Sequence, residues 1–464
     1  MSMFGFQLPK DFLIGTANSA FQSEGAWDRD GKSESIMDHY AREFAGRLPP
    51  LATPGSNAKP YTEDLPDRGC FFYDHYEEYI ADMAKTGQNT YRMSLSWPRI
   101  LPDGVGEVNP KGIEHYNKVI DCLLSYGITP FVDLYHWDLP QCLMDQGGFL
   151  NPEFPQWFED YAKVCFEAFG DRVKLWSTFN ETEISVANGY QGQAFPPFYP
   201  GGIREKHLAG QNCLIAHFRA VRLYKSMNLG GKIGAVNCVV SVYPARIHEE
   251  DLSAVEWQLE RYLGWWTQPL VEGTYPRELL RQFPNIRNNM PENFQAELDK
   301  WFIPMDFMGI NYYVVRRTQY DVNAPLKSKR VQNFYAAPGQ AFAPYPPGLF
   351  DIVQYISERY PGLELYVTEN GCALPNQYDE EKECDDDERI RYLREHLRMV
   401  ARLIRAGYTN LKGYYYWNDA DSYEELDGYN LRFGLTWVDH KTGKRRWKKS
   451  RYYFSEICKT HMID

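Results

Sequence analysis

The sequence predicts an α/β fold: a single (β/α)8 TIM barrel whose long βα loops form the active-site cleft. Three observations support this prediction. Eight short runs are rich in Val, Ile, Tyr and Phe, an amphipathic segment follows each, and the connections are long enough to join parallel strands. A doubly wound open sheet is the alternative, but the chain contains neither GxGxxG nor GxxxxGK[ST], the fingerprints that accompany nucleotide-binding sheets.

The strand-like runs are too short for helices. In chain order they are residues 12–16, 90–96, 129–135, 174–180, 232–238, 307–313, 363–370 and 411–418. The amphipathic segments are residues 73–86, 112–126, 155–169, 206–227, 252–266, 348–360, 387–407 and 451–460. The last segment follows the eighth strand, so the pattern is eight complete strand–helix units, the number that a closed barrel requires.

Three long connections, residues 41–68, 318–347 and 375–388, interrupt this regular pattern. Loops of this length inside a compact domain are usually functional, so we expect the first two, which are rich in proline, to form cleft walls. The third is acidic because Asp385, Asp386 and Asp387 lie where the next helix begins, and carboxylates favour a helix N-terminus. No linker divides the chain, which predicts one domain spanning residues 1–464.

Composition excludes several classes of function. Lys and Arg number 50 against 62 Asp and Glu, a net charge of −12, which argues against nucleic-acid binding. The N-terminus has no signal-peptide pattern and no apolar run is long enough to span a membrane, so we expect no membrane association. The nine scattered cysteines form no CxxC pair and indicate free thiols in the cytoplasm. Aromatic residues reach 16%, which suits a cleft that stacks on rings.

Two glutamates lie at the ends of predicted strands, where a barrel has its active site. Glu181 directly follows the fourth strand and Glu369 lies near the end of the seventh. Each could instead be a buried glutamate paired with an arginine for stability. Two carboxyl groups facing each other across one cleft, one protonated and one ionised, are the catalytic groups that cleave a glycosidic bond.

The motifs around these glutamates, TFNE at 178–181 and VTENG at 367–371, resemble the acid/base and nucleophile signatures of glycoside hydrolase family 1. This is the β-glucosidase family of retaining (β/α)8 enzymes. The resemblance covers nearly the whole chain. Its other motifs are FLIGTA at 12–17, YRMS at 91–94, SWPRI at 96–100, YHWDLPQ at 135–141, GINYY at 309–313 and RFGL at 432–435.

The resemblance implies a role for each matching residue. Glu181 would be the general acid/base and Glu369 the nucleophile, with Arg92 and Asn311 supporting the nucleophile. The residues implied to contact the sugar are Gln22, His136, Trp137, Asn180, Tyr313, Trp417, Glu424 and Glu425. We expect neither a cofactor nor a metal, because His136 has no HExxH motif or second spaced ligand. The implied partner is a small β-glycoside or oligosaccharide, and a homo-oligomer remains open.

The chain departs from the family pattern beside the sugar site. Glu425 stands where the family usually has a second Trp, and Asp419 stands where it usually has an apolar residue. These changes leave the glycone open, so glycosidases of other specificity and transglycosylases are alternatives to a β-glucosidase. A non-catalytic sugar-binding protein is a minor alternative, because such a protein would have no catalytic role for the two strand-end glutamates. Glu424, at the position of a phosphate-binding Ser, would repel phosphate and predicts unphosphorylated substrates.

Overall fold

The computed structural model describes residues 6–47, 62–192, 194–332, 344–377 and 379–464. Eight parallel strands pair each with the next, and the eighth pairs with the first, so the sheet closes into a barrel. These strands are β1 Leu13–Ala17, β2 Thr90–Ser94, β3 Thr129–Tyr135, β4 Leu175–Asn180, β5 Lys232–Pro244, β6 Phe307–Tyr320, β7 Glu364–Asn370 and β8 Leu411–Trp417. The predicted (β/α)8 fold is confirmed.

Helices cover the outside of the barrel at each predicted position. They are Phe72–Thr86, Pro110–Ser125, Phe154–Phe169, Ile203–Met227, Glu249–Leu259, Pro346–Arg359, Asp387–Arg405 and Lys449–Thr460. The fifth continues beyond the predicted segment, through a π-helical turn at Glu260–Gly264 into a further helix, Trp265–Glu272. This continuation brings the turn to the rim of the cleft.

Two strands are longer than the sequence predicts. β5 reaches Pro244 and β6 reaches Tyr320, and the two pair with each other above the barrel, which satisfies their backbone hydrogen bonds. A further strand, Ser328–Val331, folds back antiparallel on the end of β6. Part of the predicted 318–347 loop is therefore sheet. Within that loop, 333–343 lies outside the described residues, as does 48–61 of the predicted 41–68 loop.

The acidic 375–388 segment is more structured than a loop. It contains the helix Glu380–Cys384, and the next helix begins at Asp387 as predicted. Asp386, however, is buried: it pairs with Arg389 at 2.7 Å and accepts a hydrogen bond of 2.6 Å from the Ser450 hydroxyl. Asp386 therefore links the helices Asp387–Arg405 and Lys449–Thr460. The interaction of carboxylates with a helix N-terminus does not by itself explain this role.

Shorter elements complete the fold. The short helices are Ala20–Ser23, Ile36–Glu43, Trp97–Ile100, Gln141–Met144, Thr182–Tyr190, Arg277–Gln282, Pro284–Arg287 and Phe294–Trp301, with 3₁₀ turns at Gly148–Leu150 and Pro325–Lys327. Three small antiparallel pairs join Phe6–Gln7 to Met462–Ile463, Leu374–Pro375 to Leu431–Arg432, and Thr436–Val438 to Arg445–Trp447. No helix in the described ranges combines the length and apolarity needed to cross a membrane. All nine cysteines are free thiols.

Aromatic side chains fill the barrel below the site. Phe131 of β3 meets Phe307 of β6 and Tyr415 of β8 edge to face, with ring centroids 5.4 and 5.5 Å apart. Tyr366 of β7 joins the same cluster. Since contacts between distant strands close the interior, ligands can enter only from the carboxyl ends of the strands.

Candidate active site

A cleft of about 1640 Å³ opens at the carboxyl ends of the barrel strands. Both strand-end glutamates and all eight residues implied to contact a sugar line it. Arg92 and Asn311 do not line the cleft but lie directly behind the glutamates, and both are fully buried. The cleft is therefore bounded by the residues that the sequence singled out, with a second layer of polar groups beneath them.

Glu369, near the end of β7, is held by two donors on opposite sides. The Arg92 guanidinium donates to one carboxylate oxygen at 2.7 Å, and the Tyr313 hydroxyl donates to the other at 2.7 Å. The glycine that follows it is required by packing, because a Cβ at Gly371 would lie 2.0 Å from the carbonyl oxygen of Trp417. The carboxylate is thus fixed in position while remaining open to the cleft.

Arg92 is shared between two carboxylates. Besides Glu369, it pairs with the buried Asp133 of β3 at 2.6 Å, and it donates to the side-chain oxygen of Asn180 at 2.7 Å. Burial acts to lower the pKa of Arg92, but the charges of Asp133 and Glu369 outweigh burial and raise it above its ordinary value. The guanidinium therefore remains a permanent positive charge behind Glu369.

Glu181 lies in an environment that favours the protonated form. It is 7% exposed, and its carboxyl oxygen accepts one hydrogen bond of 2.9 Å from Asn311. Burial and the negative charge of Glu369 raise its pKa to about 8, against the opposing effects of Asn311 and Arg92. Its backbone is left-handed, with φ of 51°, at the point where β4 passes into the helix Thr182–Tyr190. Such non-glycine strain concentrates at functional sites.

Two asparagines connect the glutamates. Asn311 donates both to Glu181 and, at 3.0 Å, to the side-chain oxygen of Asn180, and it accepts from the Thr368 hydroxyl at 2.8 Å. Asn180 in turn accepts from Arg92, which holds Glu369. One continuous network of hydrogen bonds therefore sets the positions of both carboxyl groups.

Aromatic rings form one side of the same pocket. The His136 ring stacks on Trp417 with centroids 5.6 Å apart and planes at 20°. Trp137 adopts a left-handed backbone, with φ of 76°, and its indole N–H donates to the backbone oxygen of Asn180 at 3.0 Å. The amide of Gln22 donates to the Tyr423 carbonyl at 2.9 Å. These contacts fix the orientation of side chains that the sequence predicts to contact a sugar.

Glu424, Glu425 and Asp427 form an acidic wall of the pocket. They lie in a turn in which Glu424 and Gly428 exchange two backbone hydrogen bonds of 2.9 and 2.7 Å. One carboxyl oxygen of Glu424 is buried without a hydrogen-bond partner in the described part of the chain. Burial and Glu425 raise the pKa of Glu424 well above its ordinary value. Burial, with Glu369 and Asp427 adding to it, raises the pKa of Glu425 to about 7.

Asp419 does not belong to the sugar pocket, although its unusual identity suggested that it could influence specificity. It is buried behind the cleft, where it pairs with Arg451 at 3.1 Å and accepts a hydrogen bond of 3.1 Å from Thr16. Its carboxylate thus links β1 to the last helix. Asp419 therefore contributes to the packing of the barrel end.

Sequence reasoning missed two buried carboxyl groups next to the site. Asp133 could have been noticed, because it is a charged residue inside the otherwise apolar strand FVDLY. Glu183 gives no such signal, since it lies within a helix of mixed composition. It lines the cleft, accepts a hydrogen bond from the backbone N–H of Cys238, and has a pKa raised well above its ordinary value by burial and Glu181.

No three side chains among the described His, Cys, Asp and Glu residues come together in a way that could hold a metal ion. A carboxylate held between a cation and a hydroxyl faces the same cleft as a carboxyl group that retains its proton at neutral pH. A nucleophile and an acid placed in this way can together act on an acetal.

Comparison with known proteins agrees with this geometry. The model of glycosyl hydrolase family 1 matches residues 5–463. Beta-glucosidase A of Thermotoga maritima is 37% identical over 463 residues, covering 99% of both chains. The solved structure of a family 1 β-glucosidase from T. maritima superposes with a TM-score of 0.89 at 36% identity, again covering 99% of both chains. A Bacillus subtilis relative named 6-phospho-beta-glucosidase GmuD is 34% identical over 98% of both chains.

Proposed function

Since the chain belongs to glycosyl hydrolase family 1 and is an O-glycoside hydrolase of the β-glucosidase type, we propose that it is a retaining exo-β-glycosidase acting on unphosphorylated β-D-glucosides. Glu369 serves as the nucleophile and Glu181 as the general acid/base. The observation that carries this proposal is the contrast between the two carboxyl groups in one cleft. Glu369 receives donors from Arg92 and Tyr313, whereas burial keeps the proton on Glu181.

In the first step, the Glu369 carboxylate attacks the anomeric carbon while Glu181 gives its proton to the glycosidic oxygen. The bond between the anomeric carbon and that oxygen breaks, the aglycone leaves as an alcohol, and the sugar is esterified to Glu369. The negative charge of Glu369 is lost in the ester. Because that charge helps to raise the pKa of Glu181, the pKa of Glu181 falls and the group can ionise.

In the second step, Glu181 takes a proton from water, and the resulting hydroxide oxygen bonds to the anomeric carbon as the ester bond to Glu369 breaks. Two displacements at the same carbon return the sugar to its original β configuration. Asn180 belongs to the hydrogen-bond network that joins the two carboxyl groups, and its amide, which contacts His136 at 3.1 Å, is assigned to the sugar hydroxyl next to the reacting carbon. Both proton transfers use one residue, which alternates between acid and base.

The wall at the closed end supports an unphosphorylated glycone. Glu424, Glu425 and Asp427 all line the cleft, and within the described residues none of the three forms an ion pair with an arginine or lysine. Burial and repulsion among these acids already raise the pKa values of Glu424 and Glu425, and a phosphate bound there would add negative charge to the same wall without an ion-paired cation. The distinction is relevant within the family, which includes a relative named 6-phospho-beta-glucosidase GmuD.

The direct test is a panel of 4-nitrophenyl glycosides: β-glucoside, β-galactoside, β-fucoside, β-xyloside, β-mannoside, β-glucuronide and the 6-phosphorylated β-glucoside. We expect the β-glucoside to give the highest kcat/KM and the two anionic glycones to be poor substrates. Proton NMR of the first product should show the β anomer. A preference for the phosphorylated glucoside, or an α product, would overturn the proposal.

The pH profile is expected to report the proton on Glu181. Its pKa is raised to about 8, so the acid form is present below that pH and kcat/KM for a 4-nitrophenyl glucoside should fall as pH rises through about 8. The 2,4-dinitrophenyl glucoside, whose leaving group needs no proton, serves as the control and should show little alkaline fall. An equal alkaline fall on both substrates would assign the limb to another group, such as Glu425.

Glu425→Trp is expected to raise kcat/KM on neutral β-glucosides by about three- to tenfold, the effect of one added hydrogen-bond donor and an apolar face. The alkaline limb should also move to lower pH, because the charge of Glu425 contributes to the raised pKa of Glu181. Glu425→Gln is the matched control: it removes the charge but adds no indole, so it should shift the limb without the full gain. Unchanged activity across the glycoside panel would remove Glu425 from the determinants of specificity.

A further inference from the structure

The cleft has cations as well as carboxyl groups in its lining: Lys206, Arg261, Arg316 and Arg330. Arg316 lies on β6 three residues beyond Tyr313, which contacts Glu369, so the part of the cleft formed by these cations is its outer end. These residues come from three separate parts of the fold: the helix Ile203–Met227, the π-helical turn Glu260–Gly264, and the β-hairpin of β6 with Ser328–Val331. The fold therefore gathers positive charge at one place in a chain whose net charge is −12.

Two of the arginines are organised around one tyrosine. The guanidinium carbon of Arg316 lies 4.3 Å from the ring centroid of Tyr262, and that of Arg261 lies 5.2 Å from the same centroid. Arg316 also donates a hydrogen bond to the Tyr262 hydroxyl. The ring holds both cations beside each other despite their mutual repulsion.

The hairpin adds a third arginine on the same side. Arg330 stands opposite Thr318 in the antiparallel register, and Arg316 precedes Thr318 by two residues. Side chains two apart on a strand share a face, as do directly opposed residues, so Arg316 and Arg330 project from the same face of the hairpin. Lys206 completes the group, with a pKa lowered to about 8 by burial and by Arg261.

The chain provides no carboxylate to neutralise these cations. Within the described ranges, none of the four forms an ion pair, and the Nε atom of Arg316 is buried without a hydrogen-bond partner. The residues outside those ranges include no Asp or Glu, so they cannot supply the missing charge. Glu183, which also lines the cleft, accepts a hydrogen bond from the backbone N–H of Cys238 and forms no ion pair with these cations.

We propose that the outer end of the cleft is a binding subsite for an anionic group on the aglycone, formed by Lys206, Arg261, Arg316 and Arg330. This inference rests on the proposed glycosidase function, because it places the aglycone outward from Glu181. Apolar side chains, including Trp265, Phe283 and Ile286, line the same cleft. The preferred substrate class is thus a β-glycoside whose apolar aglycone ends in a carboxylate, which arginine can bind through two parallel hydrogen bonds.

The test compares two substrates that differ only in charge: the β-glucoside of 3-(4-hydroxyphenyl)propanoate and the β-glucoside of its primary amide. The charged group is separated from the phenol oxygen by the ring and two methylenes, so the leaving groups are closely matched. At low ionic strength we expect kcat/KM to be about tenfold higher for the carboxylate, mainly through KM. Added salt should reduce this ratio, since the cations are partly exposed.

Variants assign the effect to the cations. Arg261→Gln combined with Arg330→Gln should bring the carboxylate-to-amide ratio close to one, whereas Arg405→Gln, the same change at the end of a helix on the opposite face of the barrel, should preserve it. Using the ratio removes any shared effect of the substitutions on folding or chemistry. A ratio of one or less in the wild-type enzyme at low salt, or a ratio unaffected by the double variant, would overturn the proposal.

A binding experiment separates failure of this proposal from failure of the proposed function. Isothermal titration of the intact protein with free 3-(4-hydroxyphenyl)propanoate and with its amide requires no catalysis. Preferential binding of the acid, lost in the double variant, supports the subsite even if neither glucoside is hydrolysed. If the amide glucoside is hydrolysed but the free acid and amide bind equally, the glycosidase function is supported and the proposed anion-binding subsite is refuted.

Discussion

Glu369→Ala is expected to lower kcat on β-glucosides by on the order of 10⁴-fold or more, because the variant lacks the carboxylate proposed to attack the anomeric carbon. The protein should still fold. Arg92, which loses one partner, keeps its pairing with Asp133 at 2.6 Å and its hydrogen bond to Asn180 at 2.7 Å. Its buried charge therefore remains compensated, and circular dichroism should match the wild-type protein.

Chemical rescue of Glu369→Ala provides a positive test of this prediction. Azide or formate can enter the space of the missing carboxylate and attack a 2,4-dinitrophenyl glucoside, so activity should recover in part, and azide should yield the α-glycosyl azide. The control is Glu364→Ala, which removes a carboxylate from the start of the same strand. Glu364 pairs with Lys232 at the end of the barrel away from the cleft. Retained activity in Glu369→Ala, or a folded variant that azide does not rescue, would exclude Glu369 as the nucleophile.

Local sequence pattern was sufficient to locate the barrel and its two glutamates. Each strand is a short apolar run, and a carboxylate at its end must point into the mouth of a closed sheet, as Glu181 and Glu369 do. The same logic fails for Asp419, which also follows a barrel strand. Its side chain lies behind the pocket and pairs with Arg451, which the last helix places there.

The outer cleft could not be predicted for a different reason. Its charge depends on an extension of β5 and β6 beyond the barrel and on a strand that returns along β6, in a region that the sequence pattern assigned to a loop. Only this pairing brings Arg316 and Arg330 to one face, and only the π-helical turn brings Arg261 beside them. Long-range pairing of this kind leaves no periodic signal in a single sequence.

Glu181→Gln is expected to separate substrates by their leaving groups. For methyl β-glucoside or a disaccharide, whose alkoxide leaves poorly without a proton, kcat/KM should fall by on the order of 10³-fold. For 2,4-dinitrophenyl β-glucoside, formation of the intermediate needs no acid and kcat/KM should change little, while kcat falls because water no longer has a base. Glutamine preserves the shape of the side chain and can still accept the hydrogen bond that Asn311 donates.

The neighbouring Glu183 makes this experiment decisive. It is also buried, it lines the same cleft, and its pKa is also raised well above the ordinary value, so burial alone does not identify which carboxyl group is the acid. The hydrogen bonds favour Glu181: Glu183 accepts a hydrogen bond from the backbone of Cys238, whereas Glu181 belongs to the network that leads through Asn311 and Asn180 to Arg92 and Glu369. Glu183→Gln should therefore affect all leaving groups equally. If Glu183→Gln instead shows the dependence on leaving group and Glu181→Gln does not, the proton comes from Glu183.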